Sequence, residues 1–180
     1  MSYLITCSGS KRCPINNGGI GDINLLYLNE DFIDIRNELI QLNHIDLNWN
    51  YCLPAWKLYS GNYSRLYPQV SEDNWTKPTT DVKILSALFG WIKHTDLIPY
   101  YDLAMTDTIP NTNIKVNLYW LETFNLGNYI NPKQDIDLLS KNYRKALDIG
   151  GNQVAIMPGV QFTDRGVQKG IWLNKQLDLL

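Results

Sequence analysis

The sequence predicts an α/β protein, a single compact domain over residues 1–180 in which a mixed central sheet is flanked by helices. Short apolar segments typical of buried strands alternate with longer segments in which apolar residues recur every three or four positions. A chain of 180 residues has the length of one domain, and its 44% apolar and 19% charged residues are typical of globular proteins. This composition excludes a wholly disordered or fibrous chain.

The first predicted strand, residues 3–7, is apolar, partly β-branched and stops at a cluster of Ser, Gly and Lys. We expect it to lie in the middle of the sheet. Residues 14–22 are rich in Asn and Gly and are predicted to form a loop. Between Leu25 and Leu42 the apolar residues recur at spacings of three and four, which predicts an amphipathic helix.

The middle of the chain predicts a recognition segment and a second buried strand. Residues 54–67 place four aromatic residues and two cations around a turn, which is typical of a surface recognition loop or of a short helix leading into one. Residues 81–90 predict the strand, with Ser86 and Gly90 near its exit. Because Pro99 disfavours helix at Ile98, residues 96–103 are predicted to be a structured connection.

The last third of the chain predicts three helices and one strand. Apolar and aromatic spacing favours helices at residues 114–124 and 135–147. A short apolar run at residues 154–157 predicts a third strand, and residues 166–180 predict a C-terminal helix. The alternation of strands and helices is the pattern expected of a sheet covered by helices.

Charge and cysteine content limit the cellular setting and the partners. No segment reaches the ~18 apolar residues of a membrane span, and the N-terminus lacks the features of a signal peptide, so we expect a cytoplasmic protein that does not enter a membrane. Its three cysteines are expected to be reduced thiols, and no residue spacing suggests a metal site or a cofactor. With 16 Lys and Arg against 18 Asp and Glu, any binding to nucleic acid needs a local basic patch.

The loop after the first strand is the first candidate for chemistry. It reads Thr6-Cys7-Ser8-Gly9-Ser10-Lys11. Hydroxyl groups, backbone N–H groups and a lysine are the parts of an oxyanion or phosphate cradle, although the spacing is not that of a Walker loop and an ordinary polar loop is the alternative. Cys7 has no obvious His partner, which favours a packed thiol over a nucleophile.

Residues 86–105 offer two candidate acids, Asp96 and Asp102, beside Tyr100 and Tyr101. A carboxylate next to aromatic rings can act as a general base or bind a sugar hydroxyl, and flat rings can stack on a nucleobase. The alternative is that Asp96 caps a turn and that the tyrosines complete the core.

A third candidate is a basic strip. Lys141, Arg144 and Lys145 flank Tyr143 on the helix predicted at residues 135–147, and Lys169 can join them if the C-terminal helix lies alongside. Cations with an aromatic residue suit a phosphate backbone, although such charge runs are more often solvated faces.

The order of these segments resembles the peroxide-stress protein YaaA superfamily and related bacterial and phage domains. The specific part is Ile-Leu-Ser-Ala-Leu-Phe-Gly-Trp-Ile at residues 84–92, followed by Asp-Leu-Ile-Pro-Tyr-Tyr-Asp-Leu-Ala-Met at residues 96–105. The Cys-Ser-Gly-Ser-Lys of residues 7–11, the Leu-Tyr-Ser-Gly of residues 58–61 and the later segments 118–120 and 139–146 match more loosely. The resemblance implies a compact mixed α/β fold and an association with DNA, oxidative damage or modified nucleobases.

Three functional hypotheses follow. The leading one is a nucleic-acid-directed protein, acting on DNA, that recognises a base or nucleotide and can cleave an N-glycosidic bond, as a DNA glycosylase does. In it the 6–11 loop binds phosphate or the departing base, with Ser86 and Gly90 as further binding residues. Tyr100 or Tyr101 stacks on the base, and Asp102 or Asp96 activates water or stabilises the oxocarbenium-like sugar. The others are a non-catalytic DNA-binding protein of the oxidative-stress response and a nucleoside hydrolase or transferase acting on small molecules.

Overall fold

The computed structural model describes residues 2–13, 18–147 and 166–180, and the backbone of residues 155–156. Along the chain the strands are β1 (Tyr3–Thr6), β2 (Cys52–Pro54), β3 (Val82–Ser86), β4 (Gly90–Lys93), β5 (Leu97–Pro99), β6 (Ile136–Asp137) and β7 (Ala155–Ile156). The helices are α1 (Asn29–Leu42), α2 (Ala55–Leu58), α3 (Glu72–Thr76), α4 (Val116–Thr123), α5 (Lys141–Arg144) and α6 (Gly166–Asp178). The predicted α/β fold class is confirmed.

A mixed sheet with the strand order β4-β3-β1-β6-β7 forms the centre of the described structure. β1 lies in the middle, parallel to both β3 and β6. Its residues Tyr3, Leu4 and Ile5 are all buried, because a central parallel strand is covered on both faces. The predicted central strand is therefore confirmed.

The order of the strands reverses between β1 and β6. From β1 the chain continues to β3 on one side, whereas from β6 it continues to β7 on the other side, and the pairs β1–β3 and β6–β7 are both parallel. The loops that follow β1 and β6 therefore leave in opposite directions and open a crevice at the carboxyl ends of the two strands. In open α/β sheets such a crevice is the usual place for a ligand.

The strand predicted at residues 81–90 is a hairpin. β3 ends at Ser86 and β4 begins at Gly90, and the two strands pair in the antiparallel direction. Ser86 Oγ accepts hydrogen bonds from the N–H groups of Leu88 and Phe89 and so stabilises the turn. The continuous apolar run conceals this turn because the turn residues are themselves buried.

The longer helices were predicted well from apolar spacing. α1 covers the C-terminal part of the segment predicted at residues 25–42 and buries Phe32, Ile35 and Leu39. α4 and α6 occupy the segments predicted at residues 114–124 and 166–180. No helix in the described part of the chain is long and apolar enough to cross a membrane.

The helix predicted at residues 135–147 is wrong in its first half. The N–H groups of Ile136 and Leu138 donate to the carbonyls of Ser2 and Leu4, so this segment extends the sheet as β6 before the short α5 and a single 3-10 turn at residues 145–147. Pairing with β1 satisfies backbone groups that a helix would have bonded internally. Only a distant part of the chain supplies this pairing.

Two connecting segments agree with expectation, and two predictions fall partly outside the described residues. Residues 54–67 include the short helix α2, and residues 96–103 include β5, which pairs with β2 in a second, two-stranded sheet. β7 lies within the strand predicted at residues 154–157, whose end residues lie outside the described range. Residues 14–17 of the loop predicted at residues 14–22 also lie outside the described range.

Candidate functional site

A pocket of about 300 Å³ lies at the carboxyl ends of β1 and β6, where the strand order reverses. Within the described residues its walls are formed by residues 6–9, residues 65–67, Leu138, Ser140, Tyr143, Gly166 and Lys169. Four parts of the chain that are distant in sequence therefore meet here. Thr6, Cys7 and Ser8 of the predicted cradle line this pocket, whereas Ser10 and Lys11 do not.

The pocket wall is rich in hydrogen-bond donors and positive charge. Within the described part of the chain, no backbone acceptor takes the N–H groups of Ser8 and Gly9. Lys169 Nζ donates to the carbonyls of Leu138 at 3.1 Å and Leu139 at 3.3 Å, which holds its ammonium group at the end of β6. Arg65 supplies a second, exposed cation, and no Asp or Glu is among the described wall residues.

The 6–11 loop is held in place from the opposite wall. Tyr67 Oη donates to the carbonyl of Thr6 at 2.6 Å, and the N–H of Gly61 donates to the carbonyl of Ser10 at 3.2 Å. A Cβ at position 61 would lie 2.7 Å from the carbonyl carbon of Lys11, so only glycine permits this close approach. The Leu-Tyr-Ser-Gly segment thus has a structural role in shaping the loop.

Cys7 is buried at the base of the pocket, with its Sγ 2.9 Å from the hydroxyl of Tyr143. The hydroxyls of Tyr59 and Tyr101 lie behind it, 2.7 Å apart. Burial raises the pKa of Tyr59, Tyr101 and Tyr143 well above 10. These side chains are therefore neutral hydroxyls at physiological pH.

Several predicted ligand-binding residues make structural contacts within the fold. Tyr101 is only 2% exposed, its hydroxyl hydrogen-bonds to the fully buried Ser86, and neither residue lines the pocket. Gly90 has a φ of +64°, and a Cβ there would lie 2.6 Å from the Phe32 ring. The backbone conformation and the close packing explain why glycine is needed at this position, so no bound ligand is required to explain it. Tyr100, by contrast, is 44% exposed.

Lys11 lies behind the pocket, with its Nζ 4.3 Å from the centre of the Tyr101 ring. Burial lowers the pKa of Lys11, and Cys7, Asp102 and Asp107 partly offset this effect. The cation predicted for the cradle therefore packs on the tyrosine cluster.

The two predicted acids lie apart. Asp96 follows β4, whose last residue Lys93 pairs with Lys83 at the start of β3. Asp96 therefore lies near the amino ends of β1 and β3, whereas the pocket lies at the carboxyl ends of β1 and β6. Its Oδ2 accepts hydrogen bonds from the N–H groups of Tyr27 and Lys93. Burial raises the pKa of Asp96. Asp96 therefore has the capping role that was the alternative, while Asp102 is exposed.

The predicted basic strip is divided between two environments. Lys141 and Lys145 are exposed on the surface of the α5 region. Arg144, however, forms an ion pair with the buried Asp137, and Lys169 is 94% buried in the pocket wall. Tyr143 also lines the pocket. Lys141, Tyr143 and Arg144 do share the short helix α5, but the ion pair of Arg144 and the burial of Lys169 separate these two cations from the exposed Lys141 and Lys145.

Sequence analysis did not select Arg65, Tyr67, Leu138 or Ser140 as site residues. For the first two a signal existed, since residues 54–67 were predicted to form a recognition segment. Leu138 and Ser140 follow β6, a strand that was predicted as helix, and Gly166 carried no signal. Among the described residues, no group of three His, Cys, Asp or Glu side chains could hold a metal ion.

Comparison with known proteins identifies a family. The family model described as "Peroxide stress protein YaaA" matches residues 28–173. This range includes the pocket residues from Arg65 to Lys169 and the specific segment at residues 84–105, but it begins after the 6–11 loop. No curated protein matches the chain.

Proposed function

The chain belongs to the peroxide stress protein YaaA family, and on that premise we propose that it binds nucleic acid by holding one nucleotide of a DNA strand in the β1–β6 pocket. The role is that of a DNA-binding protein in the response to peroxide. It is the second of the three hypotheses that the sequence raised.

One observation carries this proposal: the pocket places the exposed Arg65 beside the N–H groups of Ser8 and Gly9, which take no backbone acceptor within the described residues, and no described carboxylate lines it. The chain as a whole has a net charge of −2. A positive pocket on an acidic protein indicates a specific anionic ligand, since general electrostatic attraction does not explain it. Phosphate is the anion that such donor sets commonly bind.

The surroundings of the pocket support a strand as the ligand. Tyr63 is 80% exposed and lies two residues before Arg65, and exposed aromatic rings serve as stacking faces for unpaired bases. Lys141 and Lys145 are exposed beyond Ser140 and Tyr143. These groups can contact neighbouring phosphates of the same strand.

Cleavage of an N-glycosidic bond is not part of this proposal. That reaction needs a carboxylate beside the sugar to activate water or stabilise the positive charge that develops. Asp96 lies at the end of the sheet opposite the pocket, and Asp102 does not line the pocket. The geometry therefore favours binding over catalysis.

The test is oligonucleotide binding by the variant Arg65→Ala. Loss of one phosphate contact should weaken binding of a short single-stranded DNA about tenfold and reduce the dependence of log K on log salt by about 0.7. Lys133→Ala is the control, because Lys133 is an exposed cation near the amino end of β6, whereas the pocket lies at the carboxyl end of that strand.

Equal losses for Arg65→Ala and Lys133→Ala would mean that the pocket is not the binding site. If a free mononucleotide binds as tightly as the strand, the small-molecule hypothesis replaces the proposed one. No binding of either probe would exclude both.

A further inference from the structure

We propose that Lys11, behind the β1–β6 pocket, is a nucleophilic amine that forms a Schiff base with an aldehyde. A covalent step of this kind goes beyond the binding of a strand. Three features of Lys11 support it: its fixed position, the lack of a described acceptor for its ammonium group, and the two carboxylates near it.

The backbone on both sides of Lys11 is held in place. The N–H of Arg12 donates to the carbonyl of Leu58 at 2.7 Å. On the other side, the N–H of Gly61 donates to the carbonyl of the preceding residue at 3.2 Å. The Lys11 side chain is also held, since its Nζ lies 4.3 Å from the centre of the buried Tyr101 ring. The amine therefore has a defined position, as an attacking group requires.

The ammonium group of Lys11 has no hydrogen-bond acceptor and no ion-pair partner among the described residues. Lys83 and Lys169, by contrast, have such partners. Lys11 is partly exposed, and its Nζ remains open to solvent. Burial lowers the pKa of Lys11, which increases the share of neutral amine, the form that attacks a carbonyl.

The charges around Lys11 favour a neutral ligand. Asp102 and Asp107 are exposed and lie close enough to Lys11 to act on its pKa, which they raise against the larger effect of burial. These carboxylates would repel a phosphate or a carboxylate ligand, but they would not repel an aldehyde. A carboxylate near the amine can also carry the protons that Schiff-base formation requires.

The step needs neither an oxidant nor a reductant. The lone pair of the neutral Nζ forms a bond to the aldehyde carbon, and the carbonyl oxygen takes up a proton. Both protons of the amine finally leave with this oxygen as water, and a C=N bond remains. We assign the proton transfers to Asp102, whose influence on Lys11 is larger than that of Asp107.

Two sources can supply the aldehyde. A nucleotide that has lost its base carries an aldehyde at C1′ when its sugar ring opens, and the proposed function would bring such a strand to the neighbouring pocket. The other source is a small free aldehyde. One probe of each kind is therefore used: a short single-stranded DNA with one abasic site, and propanal.

The experiment traps the Schiff base with sodium cyanoborohydride, which converts the imine into a stable secondary amine. Mass spectrometry of the peptides then locates the labelled lysines. At neutral pH we expect at least one probe to label Lys11 at least about tenfold faster than the exposed Lys141 and Lys145, because a positioned carboxylate assists only Lys11.

The variant Lys11→Arg keeps a cation over the Tyr101 ring but cannot form an imine. The fast phase of labelling should disappear, while an unchanged urea midpoint shows that the variant is folded. Lys57→Arg is the matched control, because Lys57 also lies over an aromatic ring, with its Nζ 5.9 Å from the centre of Trp56. The fast phase should persist in this control.

The variant Asp102→Asn tests the proton transfers. We expect slower labelling of Lys11, because the proton carrier is lost. If Asp102 acted only through its charge, its removal would lower the pKa of Lys11 further and labelling would become faster. Faster labelling would therefore overturn the role assigned to Asp102.

Labelling of Lys11 no faster than that of Lys141 by either probe would overturn the inference. The proposed function would still stand if intact DNA binds and Arg65→Ala weakens that binding. Rapid labelling by propanal alone would support the amine site and exclude the abasic strand as its substrate. Rapid labelling by the abasic strand that Arg65→Ala reduces would support the strand as the source of the aldehyde.

Discussion

The hydroxyl of Tyr101 lies 2.7 Å from that of Tyr59 and 2.8 Å from Ser86 Oγ, beneath the pocket. Ser86 Oγ already accepts from two backbone N–H groups, so its own proton points to Tyr101. Tyr101 then donates to Tyr59. The sequence predicts that Tyr101 stacks on a base. In the structure its hydroxyl joins Ser86 and Tyr59 in a buried chain of hydrogen bonds.

Removing this hydroxyl should lower stability. Tyr101→Phe removes the group that accepts from the Ser86 hydroxyl and donates to the Tyr59 hydroxyl, both buried, which costs about 1–3 kcal/mol in the free energy of unfolding. Urea denaturation measures the change. The adjacent Tyr100→Phe is the control, because Tyr100 is 44% exposed and its variant should differ from wild type by less than about 0.5 kcal/mol. Equal effects of the two changes would contradict the role assigned to Tyr101.

At the scale of the elements, the connection between β6 and α5 shapes one side of the pocket. Asp137, the last residue of β6, pairs with Arg144 at the end of α5, and its Oδ1 accepts from the N–H of Leu139. The ion pair fixes the short helix above the strand end, where Ser140 and Tyr143 enter the pocket wall. α5 spans four residues, so packing and this ion pair must hold it.

The variant Asp137→Asn should lower the free energy of unfolding by about 3 kcal/mol, because it removes one partner of a largely buried ion pair and leaves the charge of Arg144 in place. Thermal or urea unfolding measures the loss. Asp46→Asn serves as the control, since Asp46 is exposed.

A double-mutant cycle with Arg144→Gln then isolates the coupling between the two side chains. Additive effects of the two single changes would mean that the ion pair does not hold α5.

At the scale of the whole molecule, the sheet and its covering helices are joined by polar contacts within the core. His94 follows β4 and is 4% exposed, with Nδ1 3.2 Å from the carbonyl of Val82 and Nε2 3.1 Å from the carbonyl of Trp75. It thus connects β3 with α3. Burial lowers the pKa of His94 below its ordinary value of 6.5, although these two carbonyls, Asp81 and Asp96 act in the opposite direction.

The stability of the protein should therefore fall in acid. Because the folded pKa of His94 is lower than the unfolded one, the unfolded chain binds the proton first, and the free energy of unfolding decreases as the pH falls below about 6.5 towards the folded pKa. Urea midpoints measured across this range should show a shallower pH dependence for His94→Asn than for wild type.

His44→Asn is the control for this measurement. His44 is exposed and has φ 51, a conformation that Asn tolerates. An unchanged slope in His94→Asn would mean that other groups cause the acid sensitivity.

The candidate site could be predicted only in part. Residues 6–9 of the loop that the sequence predicts as an anion cradle line the pocket, and this loop could be found because a strand that ends in hydroxyl residues and glycine is a local pattern. Tyr143 and Lys169 were also selected, although for a basic surface strip. Asp96 and Tyr101 were predicted as site residues because a carboxylate beside aromatic rings suits the recognition of a base. The hairpin β3–β4, however, carries Asp96 to the end of the sheet opposite the pocket.

The sequence by itself determined the α/β class, the central strand, the three longer helices and the family, since apolar spacing and a continuous motif are properties of neighbouring residues. Only the tertiary structure decided that β6 is a strand and that Arg65, Ser140 and Lys169 meet the loop after β1. These contacts join residues far apart in the chain, and they depend on which strand pairs with β1. Pairing between distant strands leaves no local period in the sequence, so the pocket emerges only when the sheet forms.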